Sequence, residues 1–261
     1  MDLTIVKVGG KVVEEAESLS SLLDDFAALS GAKALVHGGG RSATKLSERL
    51  GVEAHMIEGR RVTDAETLKI VTMVYAGLVN KNIVAQLQSR GVNALGLTGA
   101  DMGVIRSDRR APKKMSDGQT VDFGFVGDVR EVHADVLSQL IGQGVVPVMS
   151  PITHDGHGNL LNTNADTIAS ELARAMAKSH SVRLVFCFEK PGVLLNPDDD
   201  ATVISDLDYD TFKKYQADGI VAAGMIPKLD NGFEAIRQGV ANVTITNVQG
   251  LRTGLGTTLR L

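Results

Sequence analysis

Tryptophan is absent from this chain, and cysteine occurs once, as Cys187. A single thiol excludes an internal disulfide and fits a reducing cytoplasm. Its neighbours Leu184, Val185, Phe186 and Phe188 mark it as a small core residue rather than a nucleophile. Aromatic residues make up 4% of the sequence, too few for the stacking platforms that grip single-stranded nucleic acid. Positive charge is not in excess, and a net charge of −4 argues against a nucleic-acid footprint. Asp2 stands where the basic segment of a signal peptide would be, and no cleavage pattern follows. No apolar stretch approaches the roughly 20 residues that cross a bilayer. Neither G-x-x-x-x-G-K-[ST] nor G-x-G-x-x-G occurs. His154 and His157 lack further ligands at zinc spacing, and Asp198-Asp199-Asp200 lacks the glycine and terminal glutamate of a calcium loop. The expectation is therefore no protein-held metal. What remains is a globular small-molecule protein of 261 residues, enough for one large α/β domain or two lobes sharing a sheet.

Short β-branched apolar runs alternate with longer segments of helical periodicity. The runs at 3–8, 32–37, 93–97, 145–149, 183–188 and 240–246 predict strands. The segments 13–29, 41–50, 64–90, 133–142, 165–178, 207–217 and 227–238 predict helices. This alternation predicts an α/β fold, an open and mainly parallel sheet sandwiched between helices in three layers. Residues 100–130 read as an elaborated region of loops and hairpins, and 152–160 as a tight hairpin with His154 and His157 on its surface. Thr63-Asp64-Ala65-Glu66 reads as a capping box opening the helix at 64–90. Leu68, Val71, Val74, Tyr75, Leu78, Ile83 and Leu87 form its apolar stripe, for a core or a subunit interface. Gly77 suggests a kink or a close approach. The division between lobes is expected near 165, giving 1–165 and 166–261.

Two of the strands end in glycines. Lys7-Val8-Gly9-Gly10 and His37-Gly38-Gly39-Gly40 each turn from a strand into a helix, where bare amides and a positive helix end suit an anionic phosphate. Lys7 is either a strand-end lysine reaching for water or a phosphate ligand at the carboxyl edge of a sheet. Lys228 follows Pro227 in the first turn of a helix, where the dipole disfavours a cation by about 0.3–1 kcal/mol unless an anion is near. Asn164 and Asp166 cap the helix after Asn162, and a carboxylate there could also pair with Lys7 and Lys228.

These residues, with Gly59-Arg60-Arg61-Val62-Thr63, Gly124-Phe125-Val126-Gly127-Asp128 and Gly224-Met225-Ile226-Pro227-Lys228, resemble the amino-acid kinase family from about residue 3 to the C-terminus. The R-V-T and N-x-N-A-D motifs resemble its subgroup that uses ATP to phosphorylate the side-chain carboxylate of N-acetyl-L-glutamate, a step of arginine biosynthesis. The resemblance implies that residues 1–165 bind the acylated amino acid and dimerise, and that 166–261 bind ATP. It implies that Lys7 and Lys228 stabilise the transferring phosphoryl group, that Gly10 and Gly39 donate amides to it, and that Asp166 orients the lysines. Gly39, Gly40, Arg61 and Asn162 would bind the acceptor. Glu189, Lys190, Pro191, Gly192, Val193 and Leu194, with Ile220, Val221 and Ala222, would border the nucleotide, and Mg²⁺ would be held by its phosphates and water. Two departures stand out: Glu189-Lys190-Pro191-Gly192 replaces a common D-V-x-G, and Arg41 follows the third glycine where an uncharged residue is usual. The first strand starts at Leu3 with no helix before it, which implies the arginine-insensitive dimeric form. Acceptors left open are N-succinylglutamate, glutamate, carbamate, aspartate and UMP, and a ligand sensor without catalysis is the rival from another class.

Overall fold

The computed structural model describes residues 1–57, 60–115, 118–221 and 225–261. Gly59, Ala222 and Gly224 lie outside the described residues.

Eight strands form the main sheet: β1 (Asp2–Val8), β2 (Ala32–His37), β3 (Ala94–Leu97), β4 (Val146–Met149), β5 (Ser181–Phe188), β6 (Asp206–Asp208), β7 (Asn242–Asn247) and β8 (Thr257–Arg260). Their spatial order is β6-β8-β7-β5-β1-β2-β4-β3. All pairings are parallel except β7 with β8. β1 is central, pairing with β5 from Asp2↔Ser181 to Val8↔Cys187 and with β2 on its other side.

Burial on both faces explains the continuous apolar runs. Leu3 and Ile5 of β1 face one core, with Leu184, Phe186, Val243 and the helices α5 (Ala134–Gly142), α6 (Ala165–Met176) and α8 (Ile226–Arg237). Val6 and Val8 face the other, with Leu35, Val185 and the helices α2 (Ala16–Ala28) and α4 (Ala65–Gln88). Each such aliphatic side chain removed from water contributes about 1.5–3 kcal/mol. Cys187 lies in this second core, its thiol pushed up to about 12 by burial, in keeping with an inert core residue.

The predicted strands are all present, and the helices depart from expectation in instructive ways. The segment 13–29 divides into α1 (Gly10–Glu14) and α2, because Glu15 turns to extended backbone. The segment 207–217 opens with β6 before α7 (Tyr209–Ala217). The short helix α9 (Val248–Thr253) and strand β8 were not expected. α3 runs from Gly40 to Arg49, as the glycine turn predicts.

α4 departs most. Its cap is Asp64, which accepts from the Thr67 amide, not Thr63. From Met73 to Val79 it widens into a π-helix. The wider turn rotates the stripe, so Leu78 is 59% exposed while Tyr75 and Val79 stay buried. Gly77 lies within this π-helical stretch and is exposed, and a Cβ there would meet nothing within 4 Å, so it serves no close approach. Contrary to the sequence reading, this helix is long and apolar enough by length and composition to cross a membrane, yet 44% of its apolar window is buried inside the fold. Ile70, Val71, Ile83 and Leu87 spend that apolarity on the core.

A smaller sheet, of Leu160–Asn162, Ile152–His154, Ile105–Arg109 and Gly127–Val132, stands beside the main one. The first two strands form the expected hairpin. His157 is exposed at its tip, but His154 is half-buried, its Nδ1 accepting from the Gly156 amide.

Candidate active site

Parallel strands bring their carboxyl ends to one edge, and β1, β2 and β5 end side by side. The Gly38 amide donates to Val8 O at 3.2 Å and the Gly9 amide to Cys187 O at 2.8 Å, locking both glycine turns together. A Cβ on Gly38 would sit 3.5 Å from the Gly10 nitrogen, and one on Gly39 would sit 2.7 Å from Cδ1 of Tyr75. Gly39 therefore has room for no side chain. A Cβ on Gly10 or Gly40 would meet nothing within 4 Å, because both open into a cleft of about 540 Å³.

Lys7 and Lys228 meet across this cleft at one carboxylate. Lys7 Nζ lies 2.6 Å from Asp166 Oδ1, and Lys228 Nζ lies 3.0 Å from Oδ2. Residues 7 and 228 are at opposite ends of the chain, and Asp166 sits in the first turn of α6, whose cap Asn164 accepts from the Asp166 and Thr167 amides. Burial raises the Asp166 carboxyl, but Lys7 and then Lys228 outweigh it and hold it at about 2. It is thus an anion at neutral pH, and it offsets the cost of a buried lysine and of a cation at the start of α8.

Arg61 is 8% exposed, and its Nη2 donates to Gly40 O at 3.0 Å and Thr44 Oγ1 at 2.7 Å. Its Nη1 is buried with no partner, a donor that calls for an anion. Asn162 Nδ2 donates to Thr63 Oγ1 at 3.0 Å. Gly124 holds φ +73, and a Cβ there would overlap Thr63 O at 2.2 Å, so only glycine lets this loop fold against Thr63. The cleft is lined by the predicted Lys7, Gly10, Gly39, Gly40, Arg61, Asn162, Glu189 and Lys228.

The other predicted nucleotide residues that the structure describes follow Glu189 or precede α8 and do not themselves line this cleft. Lys190 pairs with Asp200 at 3.0 Å. Gly192, Val193 and Leu194 are buried, with the Val193 amide donating to Thr257 Oγ1. Val221 is buried, and the Ile220 and Val221 amides both donate to Tyr215 O. Pro191 is half-buried.

Sequence reasoning missed Tyr75 and Arg110 on the cleft wall. Arg110 is bound by both oxygens of Asp128, and the G-F-V-G-D motif carried that signal. Lys11, Arg41 and Arg60 also face the cleft, and Glu189 is the acid on its wall among the described residues. Among the described residues no group of three His, Cys, Asp or Glu is placed to hold a metal.

A sequence profile of the amino acid kinase family matches residues 2–247. The acetylglutamate kinase of Bacteroides thetaiotaomicron is 60% identical over 99% of this chain and 98% of its own length. That of Methanopyrus kandleri is 42% identical over 99% and 100%. Among solved structures, smu.665 from Streptococcus mutans superposes with a TM-score of 0.77 at 25% identity, covering 98% of each chain. A carbamate kinase from Giardia lamblia bound to AMP-PNP shares the fold, with a TM-score of 0.70 at 14% identity over 98% of this chain and 97% of its own.

Proposed function

Because the chain belongs to the amino acid kinase family, we propose that it transfers the γ-phosphoryl group of ATP to the side-chain carboxylate of N-acetyl-L-glutamate, a step of arginine biosynthesis. Acetylglutamate kinases that are 60% identical over nearly the whole chain support this acceptor. The observation that carries the chemistry is the meeting of Lys7 and Lys228 at Asp166 beside two glycine turns.

A carboxylate of ordinary pKa, about 4.3, is ionised at neutral pH, so no general base is needed. The obstacle is the approach of two anions, which charge and positioning must overcome. In this reading a γ-carboxylate oxygen attacks the γ-phosphorus, the new O–P bond forms as the bond to the β–γ bridging oxygen breaks, and ADP leaves with that electron pair. Lys7 faces the γ-phosphoryl oxygens, Lys228 faces the bridging oxygen, and the Gly10 and Gly39 amides take equatorial oxygens. Asp166 keeps both ammonium groups aimed. Arg61 holds the α-carboxylate through Nη1, with Gly39, Gly40 and Asn162 beside it. Residues 1–165 carry the acceptor and a homodimer contact. Residues 166–261 carry ATP, bordered by 189–194 and 220–222. Mg²⁺ neutralises charge on the nucleotide phosphates. Glu189 is the acid among the described residues that line the cleft, so Mg²⁺ would be held mainly by the nucleotide phosphates and water.

Arg41, exposed on the same wall, favours a second reading in which the acyl group ends in its own carboxylate, as in N-succinylglutamate. The test offers ATP and Mg²⁺ with N-acetylglutamate, N-succinylglutamate, glutamate, aspartate and carbamate in parallel, trapping acyl phosphate with hydroxylamine and following ADP release. Fastest hydroxamate formation from N-acetylglutamate is expected. ATP binding without turnover of any acceptor would leave a ligand sensor.

A further inference from the structure

We infer that Tyr75 is a substrate-binding residue, whose hydroxyl donates to the acceptor's α-carboxylate alongside Arg61. The inference rests on the proposed acceptor class and adds a specificity determinant to it. Tyr75 reaches the cleft from the π-helical stretch of α4, and such stretches often occur at functional sites. It is 5% exposed, and its ring lies against Gly39, the residue that can bear no side chain because of it. Burial pushes the phenol up from its ordinary value while the nearby Arg61 guanidinium draws it back, so the phenol is neutral and keeps its proton.

Proton direction decides the role. A guanidinium has donors and no acceptor. The phenol oxygen can only accept from Arg61, and its own hydrogen must point elsewhere. Tyr75 itself lines the cleft, so an anion bound there is a candidate acceptor. Arg61 Nη1, buried and unpartnered, points to the same need. Two adjacent donors of this kind suit the two oxygens of one carboxylate. A leucine or phenylalanine would fill the same space against Gly39 and supply no hydrogen.

The test uses the spectroscopic simplicity of the chain. It has no tryptophan and three tyrosines, and Tyr209 and Tyr215 both lie on α7, off the cleft wall. In nucleotide-free protein, N-acetylglutamate is expected to change the intrinsic tyrosine fluorescence, whereas its α-carboxamide analogue is not. Tyr75→Phe should abolish that change, raise KM for N-acetylglutamate about tenfold or more, and leave kcat and the KM for ATP within about twofold, the loss expected of one hydrogen bond to a charged group. A fluorescence change that persists in Tyr75→Phe, an equal wild-type response to the α-carboxamide, or an unchanged KM would overturn the inference. The wild-type titrations decide it even if the variant fails to fold. Binding through Tyr75 without turnover would sink the proposed activity and leave this role standing, while turnover with an indifferent Tyr75→Phe would do the reverse. No binding of N-acetylglutamate at all would sink both.

Discussion

Single residues set the two strongest electrostatic expectations. Lys228 occupies a helix start that disfavours cations, and Asp166, 3.0 Å away, compensates it at rest. In the proposed mechanism its charge is used where negative charge grows on the departing ADP. Lys228→Ala is therefore expected to lower kcat by about 100-fold or more while moving either KM by less than about threefold, since one donor to a developing anion is worth that much. Steady-state kinetics with an unchanged kcat would remove Lys228 from the mechanism. His37 gives the pH expectation. Its Nδ1–H donates to Gly38 O at 2.7 Å, so Nε2 accepts from Asn80 Nδ2 at 3.1 Å. Burial, chiefly, lowers its pKa from 6.5 to about 4, with Gly38 opposing and Lys81 assisting. The unfolded chain thus binds this proton first as pH falls. Stability is fully present above pH 6.5 and declines towards pH 4, by on the order of 3 kcal/mol for this group. Urea titrations at pH 7 and 4.5 measure it, and His37→Gln should flatten the difference.

Among the elements, α4 and the glycine turns depend on each other. Asn80 begins the segment after the π-helix, and its Nδ2 also donates to Val148 O at 2.9 Å, so one buried amide fastens α4 to the ends of β2 and β4. Asn80→Leu deprives both acceptors of their donor and should cost about 1–3 kcal/mol for each group left unsatisfied. The denaturation midpoint should fall with the m-value unchanged, and an unaltered midpoint would show that the anchor is dispensable. The central strands and glycine turns were legible from sequence because both follow local rules: apolar runs for doubly buried strands, glycine where backbones approach. The π-helix was not. Its widening depends on what Tyr75 and Val79 pack against, and ordinary helical spacing put Tyr75 and the exposed Leu78 on one stripe. β8 was missed because Thr257–Arg260 holds a single apolar residue, Leu259, so no apolar run marks it. In the site, Lys7, Asp166 and Lys228 were legible through helix-end chemistry, whereas Tyr75 looked like core and Arg110 like part of a loop.

At the scale of the whole molecule, one sheet crosses both halves of the chain and gathers the carboxyl ends of β1, β2, β4 and β5 at the cleft, where ligands of open α/β sheets bind. Charge is segregated accordingly. The chain carries −4 overall, yet the cleft wall presents Lys11, Arg41, Arg60 and Arg110 in addition to Lys7, Lys228 and Arg61. Both proposed substrates are polyanions, so this local field favours their capture against the sign of the whole. Capture of that kind is screened, because the Debye length falls from roughly 10 Å at 0.1 M salt to roughly 3 Å at 1 M. The contacts made at close range to the reacting phosphoryl group lie within even the shorter length. Raising NaCl from about 0.1 M to about 1 M should therefore lower kcat/KM for N-acetylglutamate several-fold while kcat stays nearly constant. Arg41→Gln should lessen that salt dependence if Arg41 contributes to the field rather than to a bound acyl carboxylate. Initial-rate measurements across the salt series check this, and a kcat/KM indifferent to salt would mean that the cleft cations act only on ligands already in place.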